Sequence, residues 1–182
     1  MHRTPVAEPP VSHPEWSEHI YRTFTDMNIR QVAYVPDAGH TWLIERCHAD
    51  TALDTISLTT EEEGIAMLAG GWLGGVRGVL LMQSSGVGNC VNMLSLVHEC
   101  RFPLLMIVTM RGEWGETNPW QVPMGQSTPA VLAHAGVIVH RVEEAQHVAA
   151  TVAAGAQLAF ASSRAVAVLI GQRLIGAKRF EQ

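Results

Sequence analysis

The stretch Thr60-Glu61-Glu62-Glu63-Gly64-Ile65-Ala66-Met67-Leu68-Ala69-Gly70-Gly71-Trp72 sets three carboxylates ahead of a run of small and apolar residues. A carboxylate does acid–base work when it faces a cleft where an apolar wall and a ligand nitrogen meet it. The same residues also make ordinary structure. Acidic side chains in a first helical turn are favoured by the positive end of the helix dipole, and Ala66, Ala69 and Gly70 recur at helical spacings. On this stretch alone, a charged helix start and a working glutamate are both open.

Other stretches carry chemistry of their own. Ser84-Ser85-Gly86-Val87-Gly88-Asn89 follows an apolar strand and opens a helix, so its free amides could hold an anion. It has no Gly-Lys-Ser/Thr and lacks the third glycine of a dinucleotide fingerprint, and a tight packing turn explains it equally well. Arg111, in Arg111-Gly112-Glu113, could grip a carboxylate, sulfonate or phosphonate at two points. A salt bridge to Glu113 or Glu116 is the alternative. Asp37, beside Pro36, could shuttle protons or simply make an Asx turn. His40 and His98 lack a ligand-spaced partner. Ser84 and Ser85 lie outside a GxSxG elbow, which argues against a serine hydrolase. Trp114 and Trp120 suit a lid, an interface or the core.

The elements that must position these residues follow from hydrophobic period and punctuation. Residues 1 to 13, with Pro5, Pro9 and Pro10, read as a loose arm. Pro14 suits a first helical position, and Trp16, Ile20, Phe24 and Met27 stripe a helix to about Asn28. Strands are expected at residues 31–35, 55–58, 77–83, 104–109, 137–140 and 165–170. Helices are expected near 41–49, after the glutamates, after Asn89 with Val91, Leu94 and Val97 inward, at 129–135 and at 143–161. Residues 111–127, rich in Gly, Pro and Trp, read as a long functional loop. Apolar strands alternating with helices predict an α/β fold of three layers, a six-stranded parallel sheet with helices on both faces. The loops at 36–40, 59–62, 84–89 and 110–127 should then meet at one rim, where open α/β sheets bind ligands.

The chain has 182 residues, 47% hydrophobic and 16% charged, and a net charge of −5. That is a globular composition for one domain, without the basic patch that a nucleic-acid surface requires. Cys47, Cys90 and Cys100 are odd in number and have no CxxC spacing, which points to a reducing cytoplasm rather than a disulfide framework or zinc site. Residues 64–82 are apolar, but six glycines and Arg77 make a helix and a strand a better reading than a membrane span.

Taken in order, these motifs resemble the pyrimidine-binding (PYR) domain of thiamine-diphosphate-dependent decarboxylases, closest to sulfopyruvate decarboxylase alpha subunits and phosphonopyruvate decarboxylases. The match rests on Val35-Pro36-Asp37, Glu61 to Trp72, Met82 to Asn89, Pro103-Leu104-Leu105, Arg111-Gly112-Glu113 and Val122-Pro123-Met124-Gly125. The resemblance implies a Rossmann-like PYR domain over residues 14–175, with a tail at 176–182. It also implies a glutamate against N1′ of the cofactor's aminopyrimidine, which helps the cofactor lose its C2 proton before a 2-keto acid is decarboxylated. Glu61, with Gly64 three positions on and Ala69-Gly70 at eight and nine, fits that spacing. A register based on Gly71-Trp72 would select Glu62 and put bulky Ile65 at the small position. Ser85, Gly86 and Asn89 fall on the cofactor side, and Asp37, Gln83 and Arg111 on the substrate side.

Two departures shape the expectation. Phosphonopyruvate-type chains carry Asp-Ser after Val-Pro, where this chain has Asp37-Ala38. No Gly-Asp-Gly, the family's magnesium diphosphate motif, occurs in the sequence. The resemblance therefore implies an alpha subunit in a hetero-oligomer whose beta subunit carries the PP domain, Mg2+ and the diphosphate ligands. The implied substrate is a small anionic 2-keto acid, 3-sulfopyruvate or a near analogue. A non-catalytic assembly module on the same fold is the competing reading.

Overall fold

The computed structural model describes residues 14–176. The expected arm at 1–13 and the tail beyond Gly176 lie outside the described residues. Six strands form one all-parallel sheet in the order β2-β1-β3-β4-β6-β5. They are β1 (Ile29–Tyr34), β2 (Asp54–Ser57), β3 (Arg77–Gln83), β4 (Leu104–Thr109), β5 (Ile138–Val142) and β6 (Ala165–Ile170). The central strands β3 and β4 are buried on both faces, which is why they read as continuous apolar runs rather than alternating ones.

Alternate residues of the central strands feed two separate cores. Val79, Leu81, Leu105 and Ile107 pack under α1 (Glu15–Asp26), α2 (Thr41–His48) and α7 (Ala145–Ser162). Leu80, Met82, Met106 and Val108 pack on the other face. There the cover is α3 (Glu61–Leu73), α4 (Val87–Cys90), α5 (Leu94–Cys100) and α6 (Val122–His134). A last short turn, α8 (Gln172–Ile175), follows β6. The three-layer α/β/α architecture expected from the sequence is the one observed.

Several local expectations change. Pro14 precedes α1 as its cap instead of opening it. The supposed loop at Ser84 to Asn89 is already helical, a 3-10 turn at Ser84–Gly86 running into α4. Val91 falls in the turn between α4 and α5 and is 44% exposed, while Leu94 and Val97 are buried as expected. The helix expected from Pro129 begins at Val122 and carries Pro129 inside it. Proline alone argues for a break, but Pro123 in the first turn and Thr128, whose hydroxyl donates to Met124 O at 2.7 Å, support the upstream turns. Tertiary contact does the rest. A Cβ on Gly125 would lie 1.8 Å from Arg111 O, so α6 can start here only because residue 125 is glycine.

The carboxyl ends of β1, β2, β3 and β4 put Asp37, Glu61, Ser84 and Arg111 along one edge. The strand order reverses between β1 and β3, and crevices at such switch points are where ligands of open α/β sheets bind.

Candidate active site

Glu61 is the first residue of α3, and it is 7% exposed, whereas Glu62 and Glu63 face solvent. Helical geometry explains the split, since each step turns the side chain by about 100°. Glu63 instead accepts the Thr59 backbone N–H at 2.9 Å and closes the helix start. The position three after Glu61 is sterically small. A Cβ on Gly64 would come within 2.6 Å of Leu80 Cδ1 and 2.8 Å of Leu58 Cδ1.

The Glu61 carboxylate reaches across to the turn after β3. Asn89 Nδ2 donates to Oε2 at 2.8 Å. Oε1 lies directly over Gly86, where an added Cβ would meet it at 2.2 Å. Oε1 has no hydrogen-bond partner among the described residues. A carboxylate offers about four acceptor positions, so this buried one keeps capacity for a ligand. Beneath it, burial first and then the charges of Glu61 and Glu62 push the Cys90 thiol up to about 12. That thiol is no nucleophile at neutral pH.

Asp37 is half-buried at the end of the first loop, and its Oδ2 accepts a hydrogen bond from the Thr109 hydroxyl. It lines a cavity of about 200 Å³ with Ala38, Gly39, Thr109, Arg111 and Ile175. His40 is buried and donates from Nε2 to Ile107 O at 3.1 Å; burial lowers its pKa and keeps it neutral. Gln83 Nε2 donates to Ser85 Oγ at 3.2 Å and to Gln121 Oε1 at 3.4 Å.

Arg111 is buried in a two-point ion pair with Glu116, at 2.6 and 2.7 Å. Glu113 pairs with Arg141 instead. Glu116 also accepts from Gly112 N, Asn118 N and Gln172 Nε2. The Arg111 guanidinium, followed by these smaller contributions, holds its carboxyl down at about 2 against the cost of burial. Gln172 Oε1 accepts from Glu113 N at 2.8 Å and Trp114 N at 3.0 Å. Ser84 joins β3 to β4, its Oγ accepting the Arg111 backbone N–H at 3.0 Å. The loop after Arg111 is thus bound down along its length. Trp120 is 84% exposed and Trp114 47%, so neither is a core residue.

Glu61, Gly86 and Asn89 therefore form one cluster, and Asp37 and Arg111 share a second. Gln83 and Ser85 bond to each other on the turn that leads to the first. Thr109 and Gln172, a threonine ending a strand and a glutamine after the last strand, carry no local signal, and only long-range contacts reveal them. Glu116 is legible as one of two possible partners for Arg111, and the structure selects it over Glu113. His98 is exposed at the far end of α5 and joins neither cluster.

Fold and site define the chain's class: a parallel α/β domain with a buried acid at the carboxyl rim of its sheet. No family model matches it. Relatives do. It is 38% identical to the sulfopyruvate decarboxylase subunit alpha of Methanococcus maripaludis over 117 residues, 64% of this chain and 70% of that one. With the same subunit from Methanothermobacter thermautotrophicus it shares 32% over 155 residues, 85% of this chain and 94% of that one. It is 41% identical to the phosphonopyruvate decarboxylase of Streptomyces viridochromogenes over 59% of this chain, which is 28% of that longer protein. The fold is also shared, at TM-score 0.72 and 18% identity, with a 2-oxoglutarate:ferredoxin oxidoreductase from Magnetococcus marinus, over 88% of this chain and 29% of that one. The chain belongs to the sulfopyruvate decarboxylase alpha-subunit family, within a wider group of decarboxylases. The resemblance read from the motifs is borne out. No helix among the described residues is long and apolar enough to cross a membrane.

Proposed function

We propose that this chain is the alpha subunit of a two-subunit, thiamine-diphosphate-dependent decarboxylase acting on 3-sulfopyruvate, and that Glu61 is its cofactor-activating residue. One observation carries the reading: Glu61 is buried at the rim with Oε2 held by Asn89, Oε1 unpartnered among the described residues, and a glycine beneath it where any side chain would intrude. Those features fit the aminopyrimidine of thiamine diphosphate, which needs a carboxyl group and close backbone approach. When bound, that cofactor supplies the carbon nucleophile and the electron sink for loss of carbon dioxide.

The remaining roles belong to the chain's own residues. Glu61 holds or releases a proton at Oε1, and Asn89 fixes its orientation. Gly86 leaves room for a flat ring beside the carboxylate, with Ser85 next to it. Asp37 handles a proton at the substrate side of the rim. Gln83 and Arg111 lie on that side too. Arg111 contributes there through its pair with Glu116, as a fixed dipole rather than a free cation. Magnesium and the diphosphate are assigned to a partner beta subunit, since no Gly-Asp-Gly occurs in this sequence. The free cysteines Cys47, Cys90 and Cys100 suit a reducing compartment, and the complex is assigned to the cytoplasm on that basis.

The test is carbon dioxide release by the chain mixed with its partner, using 3-sulfopyruvate, phosphonopyruvate and pyruvate in parallel. Turnover is expected to be fastest with 3-sulfopyruvate. Preference for phosphonopyruvate would move the substrate within the same family. Failure to decarboxylate any 2-keto acid would leave the assembly-module reading in its place.

A further inference from the structure

Thr109, the last residue of β4, makes the one hydrogen bond among the described residues that anchors the Asp37 carboxylate, through Oδ2. The backbone is shaped around this contact. A Cβ on Gly39 would come within 2.8 Å of Thr109 Cγ2 and 3.0 Å of Asp37 Oδ2. The carboxylate can therefore fold back onto the threonine only because residue 39 carries no side chain. One residue further on, His40 ties the same turn to Ile107 O. The turn from Asp37 to His40 is thus fastened to β4 at residues 109 and 107. Thr109 is itself 1% exposed, and the other acceptor near its hydroxyl is the buried Met82 carbonyl at 3.4 Å, so the hydroxyl is not free to swing to water. Asp37 Oδ1, by contrast, has no hydrogen-bond partner among the described residues, and Asp37 lines the 200 Å³ cavity.

We propose that Thr109 is a positioning residue for Asp37: by engaging Oδ2, its hydroxyl reserves Oδ1 for the proton exchanged with substrate in that cavity. This rests on the reading of Asp37 given above. A carboxylate free to rotate presents either oxygen at a range of angles. One tethered through a short arm to a buried strand presents a single oxygen from a fixed place, which is how positioning raises turnover without tightening binding.

The test compares kcat and KM in the reconstituted complex for Asp37→Asn, Thr109→Val, Thr109→Ser and the double variant Asp37→Asn/Thr109→Val. Valine keeps the shape of threonine and removes the hydroxyl, whereas serine keeps the hydroxyl. Thr109→Val should lower kcat on the order of 10- to 100-fold with KM little changed. Thr109→Ser should recover most of that loss, and the double variant should be no slower than Asp37→Asn. If Asp37→Asn turns over like the unmodified chain, the Asp37 reading fails. If Asp37→Asn is slow while Thr109→Val is fast, or if Thr109→Val costs the same factor in both backgrounds, the Thr109 inference alone is overturned. Should Thr109→Val not assemble with the partner, Thr109→Ala set against Thr109→Ser decides by the same criterion.

Discussion

At the scale of single residues, three adjacent glutamates have three different fates. Glu61 is buried on Gly86, Glu62 faces solvent, and Glu63 closes the start of its own helix. Glu61→Gln keeps size and polarity but cannot exchange a proton, so turnover of the assembled enzyme should fall about 10²- to 10⁴-fold. Hydrogen–deuterium exchange at the C2 position of bound cofactor should slow in step. Glu62→Gln and Glu63→Gln should leave both near normal; loss in the Glu62 variant in place of Glu61 would shift the active register by one. Gly86→Ala probes the same site from below. Its Cβ would displace Oε1, so it should impair turnover nearly as much as Glu61→Gln while circular dichroism stays unchanged.

At the scale of elements, the loop after β4 and the start of α6 are joined by contacts that leave little slack. Glu116 gathers Arg111, Gly112, Asn118 and Gln172 around one carboxylate. Because its pKa is depressed to about 2 in the folded chain, its contribution is complete above the ordinary glutamate range and is lost as pH falls toward 2. Glu116→Gln leaves Arg111 buried without its counter-charge, which should cost about 3–5 kcal/mol in urea unfolding at neutral pH. The gap between variant and parent should narrow as pH is lowered through that window. A gap that stayed constant down to pH 2 would show that the ion pair adds no stability. Gly125→Ala should also destabilise, by about 3 kcal/mol or more, because its Cβ would strike a backbone carbonyl that cannot rotate aside.

At the scale of the whole molecule, two apolar cores built from described residues lie on the two faces of one sheet. The isolated chain is therefore expected to fold alone and unfold in a single cooperative step. Chemistry is a different matter. The proposed division of labour has this chain activate the aminopyrimidine and a partner hold the diphosphate. The purified chain should then bind magnesium thiamine diphosphate weakly in calorimetry and release almost no carbon dioxide until the partner is added. Tight cofactor binding by the chain alone would count against that division.

The sequence by itself determined the layers, the parallel sheet and the rim on which the acids sit. Those follow from hydrophobic period, strand length and the handedness of crossovers, all of which are written locally. It also favoured Glu61 over Glu62, because the small residue at 64 is a local pattern with a steric cause that the packing of Leu58 and Leu80 makes plain. Tertiary structure decided the rest. Pro129 argued for a helix start, yet α6 begins at Val122, since Gly125 lets it close on the carbonyl of Arg111. Arg111 could have faced solvent, substrate, Glu113 or Glu116, and three charges in a short loop cannot be paired from their order. Thr109 lies 72 positions from Asp37, and no local rule connects them. Contacts of that kind arise where strands distant in sequence end side by side, so they exist only once the sheet has formed.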